Sequence, residues 1–357
     1  MFRQKWRWVL LLVVLALVHC EFPKEKEVYH WAEYWIATVD TNNGDTTLVC
    51  PTHDGAVVKE TLKQAVPFYR DGQLKILATE YAAFWVLEPD GQSGLKLVEN
   101  ATTDYRKWAL SPDGQFLVFS QSHGLYKIQT DGNGLTTTLV EDTSFAFEYP
   151  SLAADGRLVF VRRNIKTHVE ELVLLTSNGD KLQILKSTAS LSGSYKHIFY
   201  SKFSPDGQYV YYILASNVVP PGLYSVNLTS GEETRIYPNE FYSPVIFAEN
   251  GTYVFQADKH LYVGLHPDRT IRDLGECFYG YIGIFEYDIS SDGQWITYVP
   301  DNALREIWIM RSDGSQKRKL VEGLHPYFIP GEKRILCFAR RWYQSTKYPG
   351  RHDWITY

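Results

Sequence analysis

Cysteine is scarce in this chain, with four in 357 residues. Cys20 lies near the N-terminus, and Cys50, Cys277 and Cys337 are far apart and odd in number. That spacing gives no disulfide framework and no C-x-x-C metal site, and sequence cannot assign the single bridge the three could hold after export. No Lys or Arg run is longer than three residues in a chain of net charge −5, so a nucleic-acid partner is not expected. G-x-S-x-G is absent, which leaves a serine nucleophile on a strand-to-helix elbow unsupported. H-E-x-x-H is absent too, and the ten histidines show no metal-ligand spacing, so no metal or other cofactor is expected. Helical periodicity is missing throughout, although residues 59–65 could hold one turn.

Long apolar runs are lacking as well, and the longest spans only residues 9–18 (VLLLVVLALV). Ten helical residues reach about 15 Å, half of a ~30 Å hydrocarbon core. With Arg3, Lys5 and Arg7 ahead of it, the run reads as the apolar region of a signal peptide over residues 1–19. The following Leu17-Val18-His19-Cys20 resembles a bacterial lipobox, with His19 where that pattern prefers a small residue. The expectation is an exported protein, lipid-anchored through Cys20 in the bacterial envelope, at the outer membrane or in the periplasm. Residues 20–32 would form its polar tether, and simple secretion is the alternative. Cleavage would remove three of the 36 basic side chains and no acidic one, deepening the net charge from −5 to −8.

Against these absences stands a repeat. SPDGQ occurs at 111–115 and again at 204–208, with weaker copies AADGR at 153–157 and SSDGQ at 290–294. Taken as anchors, Asp71-Gly72, Asp113-Gly114, Asp155-Gly156, Asp206-Gly207, Asn250-Gly251, Asp292-Gly293 and the degenerate Pro330-Gly331 are spaced by 42, 42, 51, 44, 42 and 38 residues. Each anchor follows a short aromatic stretch. A β-rich run succeeds it (FLVFS 116–120, YVYYIL 209–214, WITYV 295–299, RILCF 334–338), then a second (LYKIQ 125–129, LYSVN 223–227, IWIMR 307–311), then a closing one (LKLV 95–98, TTLV 137–140, RKLV 318–321). Four short strands per ~40–45 residues describe the blades of an all-β propeller. Residues 33–38 and 46–49 look like the last two strands of a blade whose first two lie at the C-terminus. Pairing the two chain ends would close the ring. The expectation is one propeller domain over residues 33–357, with seven blades, or six if the weak last unit merges with its neighbour.

The units at 111–140 and 290–321 match the pattern of the TolB-like, or PD40 (WD40-like), propeller family along their length: SPDG or SSDG, FLVFS or WITYV, LYKIQTDG or IWIMRSDG, then TTLV or RKLV. This resemblance covers nearly the whole mature chain and implies the propeller fold, while leaving function open. TolB itself carries an additional α/β domain before its propeller. Here the first blade-like strand begins near Glu33, which leaves no room for one.

The anchor itself is turn chemistry. Proline sets φ at the second turn position, Asp suits the third, and Gly takes the left-handed conformation behind it. A single carboxylate per anchor is too few for a calcium loop. Function is therefore sought just upstream, where the inner strands of a propeller begin and their loops form a channel mouth. Candidates there are Arg106, Trp108, Glu148, Tyr149, His197, Tyr242, Glu286, Tyr287 and His325. Aromatics beside charges suit a glycan or peptide ligand, and they equally suit packing between blades. The leading expectation is a non-catalytic propeller that binds an envelope protein or another ligand through one face. The alternative is a carbohydrate-active envelope enzyme, a polysaccharide lyase or a glycoside hydrolase with Glu148 and Glu286 as its carboxylates. Oligogalacturonate lyases use a similar propeller with a histidine-rich metal centre, which directs attention to His197, His260, His266 and His325. A basic, aromatic stretch at residues 340–353 is a further candidate contact loop.

Overall fold

The anchors SPDGQ and SSDGQ fold as the turn their residues dictate. In the computed structural model the Ser204 hydroxyl donates to Asp206 Oδ1 at 2.5 Å and accepts from the Tyr209 amide at 3.0 Å. Ser111 and Ser290 repeat both bonds, to Asp113 and Phe116 and to Asp292 and Trp295. The glycine behind each aspartate is left-handed, with φ of 68° at Gly114, 67° at Gly207 and 71° at Gly293. At Gly114 space adds a second constraint, because a Cβ there would fall on the Tyr69 carbonyl of the preceding blade. The motif is scaffold.

The structure describes residues 29–49, 64–79, 82–90, 93–239, 241, 243–268, 270–277, 286–300 and 305–345. The expected signal peptide and Cys20, along with Cys50, Tyr242 and residues 346–357, lie outside them. Residues 34–341 form one unit, and residues 29–33 and 342–345, the far ends of two long strands, fall in a second, small one. Among the described residues no helix is long and apolar enough to cross a membrane.

Between the anchors lie four-stranded antiparallel blades. The first runs Gln64–Arg70, Gln73–Thr79, Ala83–Leu87 and Gly94–Glu99. The second begins at Trp108–Leu110, the third at Phe145–Leu152, the fourth at Lys196–Phe203 and the fifth at Ile246–Phe247, each with three further strands in sequence order. The remaining seven strands make one sheet, in the order Thr46–Leu48, Tyr29–Asp40, Arg334–Ser345, Arg318–Phe328, Glu306–Arg311, Trp295–Tyr298, Tyr287–Ile289. Among the described residues, five separate blades therefore stand where seven were expected. The physical reason is Arg318–Phe328, which runs without a break: its first half pairs with Glu306–Arg311 and its second with Arg334–Ser345. The N-terminal strand Tyr29–Asp40 begins four residues before the expected Glu33 and lies beside Arg334–Ser345, so the two chain ends meet in one sheet. Thr41 fastens that junction, its amide and hydroxyl both donating to the Lys333 carbonyl at 2.9 and 2.8 Å.

The core lies between blades rather than beneath a sheet. Phe68, Leu77 and Phe84 of the first blade pack on Leu117 and Phe119 of the second. Tyr211, Tyr212, Tyr253 and Phe255 fill the space around the fourth and fifth, all fully buried. Blades covered on both faces account for near-continuous apolar strands such as FLVFS, and each large side chain so buried contributes roughly 2–3 kcal/mol. The first strands of neighbouring sheets also pack on one another, Phe145–Leu152 against Trp108–Leu110 and Lys196–Phe203, and Arg318–Phe328 against Tyr287–Ile289 and Gln64–Arg70. These inner strands line the axis.

Candidate functional site

Three inner strands share a device that sequence patterning does not reveal. Tyr149, Tyr200 and His325 are left-handed, with φ of 53°, 52° and 54°. Each sits inside a register shift, between Glu148 and Ser151, Phe199 and Lys202, and Leu324 and Tyr327. A bulge of this kind bends the strand and re-aims the side chains beyond it. Upstream of the bulges is the channel mouth, and downstream is the anchor end.

At the mouth, the second to fourth blades bring several expected residues together. Asp104 opens a short 3-10 turn, Tyr105–Lys107, and accepts from the Arg106 amide at 3.0 Å. It also grips the Arg106 guanidinium, Nε to Oδ1 at 3.1 Å and Nη2 to Oδ2 at 2.7 Å. Burial pushes the Asp104 carboxyl up, and the bonds from Arg106 outweigh it and bring the group below the usual carboxylate range. The Asp104 bond in turn raises Arg106 above its ordinary value, with lesser help from the nearby Tyr149 and Glu148. Lys107 Nζ lies 2.8 Å from Glu148 Oε1 and donates to the Phe147 carbonyl at 3.0 Å. Next to them runs an aromatic ladder: Tyr195 on His197 at 5.2 Å, His197 on Phe199 at 5.6 Å, Phe199 on Tyr149 at 6.2 Å and Tyr149 on Tyr200 at 4.8 Å. Tyr195 and His197 are 36% and 40% exposed, whereas Tyr149 is buried. His197 is aimed by Glu170, a buried carboxylate 3.0 Å from Nδ1 whose other oxygen accepts from the Ile198 amide at 2.7 Å.

Glu286 and His325 form a separate pair from the seven-stranded sheet. Glu286, 4% exposed, accepts from the His325 amide at 2.8 Å. The ring Nδ1 lies 3.1 Å from the other carboxylate oxygen, but off the hydrogen-bond line, so the pair is held through the backbone. Two expected contact residues turn inward instead. Trp108 packs edge-on against Phe84 at 6.0 Å, between the first and second blades. Tyr287 is 1% exposed and donates to the Pro244 carbonyl at 2.7 Å. Both take part in packing between strands, because strand alternation turns them away from the channel.

The histidines considered as a metal centre each have a partner of their own: Glu170 for His197, Asp273 for His260, Asp206 and Tyr211 for His266, and Glu286 for His325. Among the described residues no group of three or more His, Cys, Asp or Glu side chains is placed to hold a metal ion. Cys277 and Cys337 are buried, and burial pushes the Cys337 thiol up to about 12.

Sequence reasoning passed over the anchor half of the channel. Counting back two residues from the amides of Ser204, Ser290 and Ile329, which close equivalent turns, gives Lys202, Asp288 and Tyr327. The flanking residues Ser201, Phe203 and Phe328 are buried where Lys202 and Tyr327 are not, so these two face the axis, whereas Asp288 is buried like its neighbours Tyr287 and Ile289. At the same end a cavity of about 640 Å³ is lined by Thr41, Ser290, Trp295, Arg311, Phe328 and Lys333, among others.

No family model and no curated protein matches the sequence. Solved structures do. Oligogalacturonate lyase from Vibrio parahaemolyticus is 13% identical, with a TM-score of 0.60 over 87% of this chain and 98% of that one. A puromycin-hydrolyzing peptidase from Mycobacterium tuberculosis is 14% identical, with a TM-score of 0.57 over 82% of this chain and 51% of that one. A putative TolB from Agrobacterium tumefaciens is 13% identical, with a TM-score of 0.49 over 88% and 99%. At these identities the likeness to the first two shows the fold alone, a β-propeller of four-stranded blades.

Proposed function

We propose that this chain is an exported, lipid-anchored β-propeller that binds a protein partner, or another ligand, at the mouth formed by its second to fourth blades. The observation that carries the reading is the half-exposed row Tyr195, His197 and Phe199, rising beside Arg106 and Glu148. Exposed aromatics held rigid by stacking lose little entropy on binding, and adjacent charges give orientation. The carboxylates favour binding over catalysis. Glu148 is matched to Lys107 and Glu286 to the His325 amide, and they belong to separate clusters rather than one acid/base pair. In the same reading the seven-stranded sheet counts as two blades that share Arg318–Phe328, which would complete seven.

A photo-crosslinking residue placed at 195 in the native cell tests the mouth, with one at Asn133, on the anchor end, as control. Site 195 should capture a discrete partner that site 133 does not. Equal capture at both sites would remove the mouth from consideration. Turnover of a polysaccharide by the purified protein, lost in Glu148→Gln or Glu286→Gln, would replace binding by catalysis.

A further inference from the structure

The mouth end of the third and fourth blades carries three exposed apolar side chains among loops that hold charge of one sign. Ile165, Tyr195 and Val218 are 41%, 36% and 46% exposed. They stand on three neighbouring loops: residues 165–169 and 217–221, between the second and third strands of each blade, and residues 188–195, joining the two blades. The Asn217 amide donates to the Tyr195 carbonyl at 3.3 Å, and a Cβ on Gly193 would lie 2.9 Å from Val218 Cγ1. On the other side Glu170, the residue after the first loop, lies 3.0 Å from His197. Side chains at the strand ends pin two of the loops. Asn164 Oδ1 accepts from the amides of Lys166 and Thr167 at 3.0 and 2.9 Å. Ser216 Oγ accepts from those of Val218 and Val219 at 3.1 and 3.3 Å.

The three loops contain no aspartate or glutamate, in a chain where 41 acidic residues outnumber 36 basic ones. Lys166 is exposed and makes no ion pair among the described residues. Lys196 and Arg163, at the adjoining strand ends, direct donors to the Leu191 carbonyl at 2.6 Å and the His168 ring at 3.4 Å. The carboxylates next to them already have partners: Glu170 holds His197, Glu171 meets Arg162 at 2.8 Å, and Asp142 caps the Ser144 amide at 2.8 Å. Exposed apolar side chains with a polar rim mark an interaction surface, and uncompensated charge at the rim selects the sign of what docks there. A lipid surface calls for one continuous apolar face. These side chains stand singly on separate turns, which suits the alternating side chains of an extended peptide. We propose that the three loops bind a segment of a partner protein that carries acidic side chains between apolar ones. This partner chemistry rests on the mouth being the docking face.

The test is a selection of random twelve-residue peptides, displayed on phage, against the purified mature protein produced without its lipid. Enriched peptides should be net acidic and carry apolar residues, and their affinity should fall as NaCl is raised. Lys166→Glu combined with Lys196→Glu, and separately Val218→Asp, should each weaken a selected peptide by about tenfold or more. Lys181→Glu, at the anchor end of the third blade, should leave it unchanged. Should a substituted protein fail to fold, the charge of the selected peptides and their salt dependence still decide. No enrichment, neutral or basic peptides, or affinity that survives both mouth substitutions would overturn the proposal. So would sedimentation with phosphatidylglycerol vesicles that Lys166→Glu abolishes, since the partner is then a lipid surface. If any of these results accompanies capture of a partner from site 195 alone, the mouth stands and only its acidic partner falls. Equal capture at sites 195 and 133 removes the mouth itself.

Discussion

Asp288 sits in a strand of three residues between Tyr287 and Ile289, both packed into the blades. Burial lifts its carboxyl to about 7, against the amides of Phe328 and Ile289 and the charge of Lys202, which all favour ionisation. Tyr327, which burial and then Asp288 and Glu286 raise, and Lys202 also feel its charge. The folded value lies above the ordinary 3.8, so the native state keeps a proton that the unfolded chain has lost. The stability gained from the neutral carboxyl is therefore full below about pH 4 and lost as pH rises toward about 7. Asp288→Asn stays neutral throughout. Its urea midpoint, relative to the unaltered protein, should rise between about pH 4.5 and about pH 7.5. A pH-independent difference would mean that the carboxyl is ionised across the whole range.

Strands are tied to the next blade by side chains reaching backbone amides. Ser151 accepts from Phe203 at 3.2 Å, Asp288 from Phe328 at 2.7 Å, and Glu170 from Ile198 at 2.7 Å. The Glu170 tie joins the third blade to the fourth and also aims His197. Removing it in Glu170→Ala strands a buried amide and should cost about 3 kcal/mol. Glu170→Gln keeps an acceptor for Ile198 and should cost about 1 kcal/mol, a difference that urea unfolding resolves. Equal losses would show that packing, not the tie, holds the strand. At this scale the sequence was readable where the physics is local. Pro, Asp and Gly declare their turns, and the runs FLVFS, YVYYIL, WITYV and RILCF each begin a strand at the expected residue, although the last continues seven residues further, to Ser345. The bulges were not readable, because no propensity marks Tyr149, Tyr200 or His325 as left-handed. Without them, simple alternation cannot say that Lys202 faces the axis, nor that adjacent Glu286 and Tyr287 do different jobs. The mouth was located from strand direction, which is why Arg106, Glu148 and His197 were found together while Lys202 and Asp288 were overlooked.

For the whole molecule, the pairing of the chain ends was legible because the N-terminus offers two strands of a blade and the C-terminus the other two. The continuity of Arg318–Phe328 was not, since RKLV and the residues after it read equally well as two strands. The described N-terminal strand starts at Tyr29, nine residues after Cys20, where the expected tether begins. A lipid on Cys20 would therefore hold the propeller close to a membrane surface, on a link that can reach about 30 Å when fully extended. A net charge near −8 gives no electrostatic attraction to anionic lipid, so the anchor would have to supply the attachment. That separates the possibilities cleanly. Cys20→Ser should move the protein from the membrane fraction to the soluble one, with its thermal unfolding unchanged because the propeller is untouched. A protein that stays with the membrane after this substitution is held by its uncleaved apolar segment or by a partner, and the lipid anchor is then wrong.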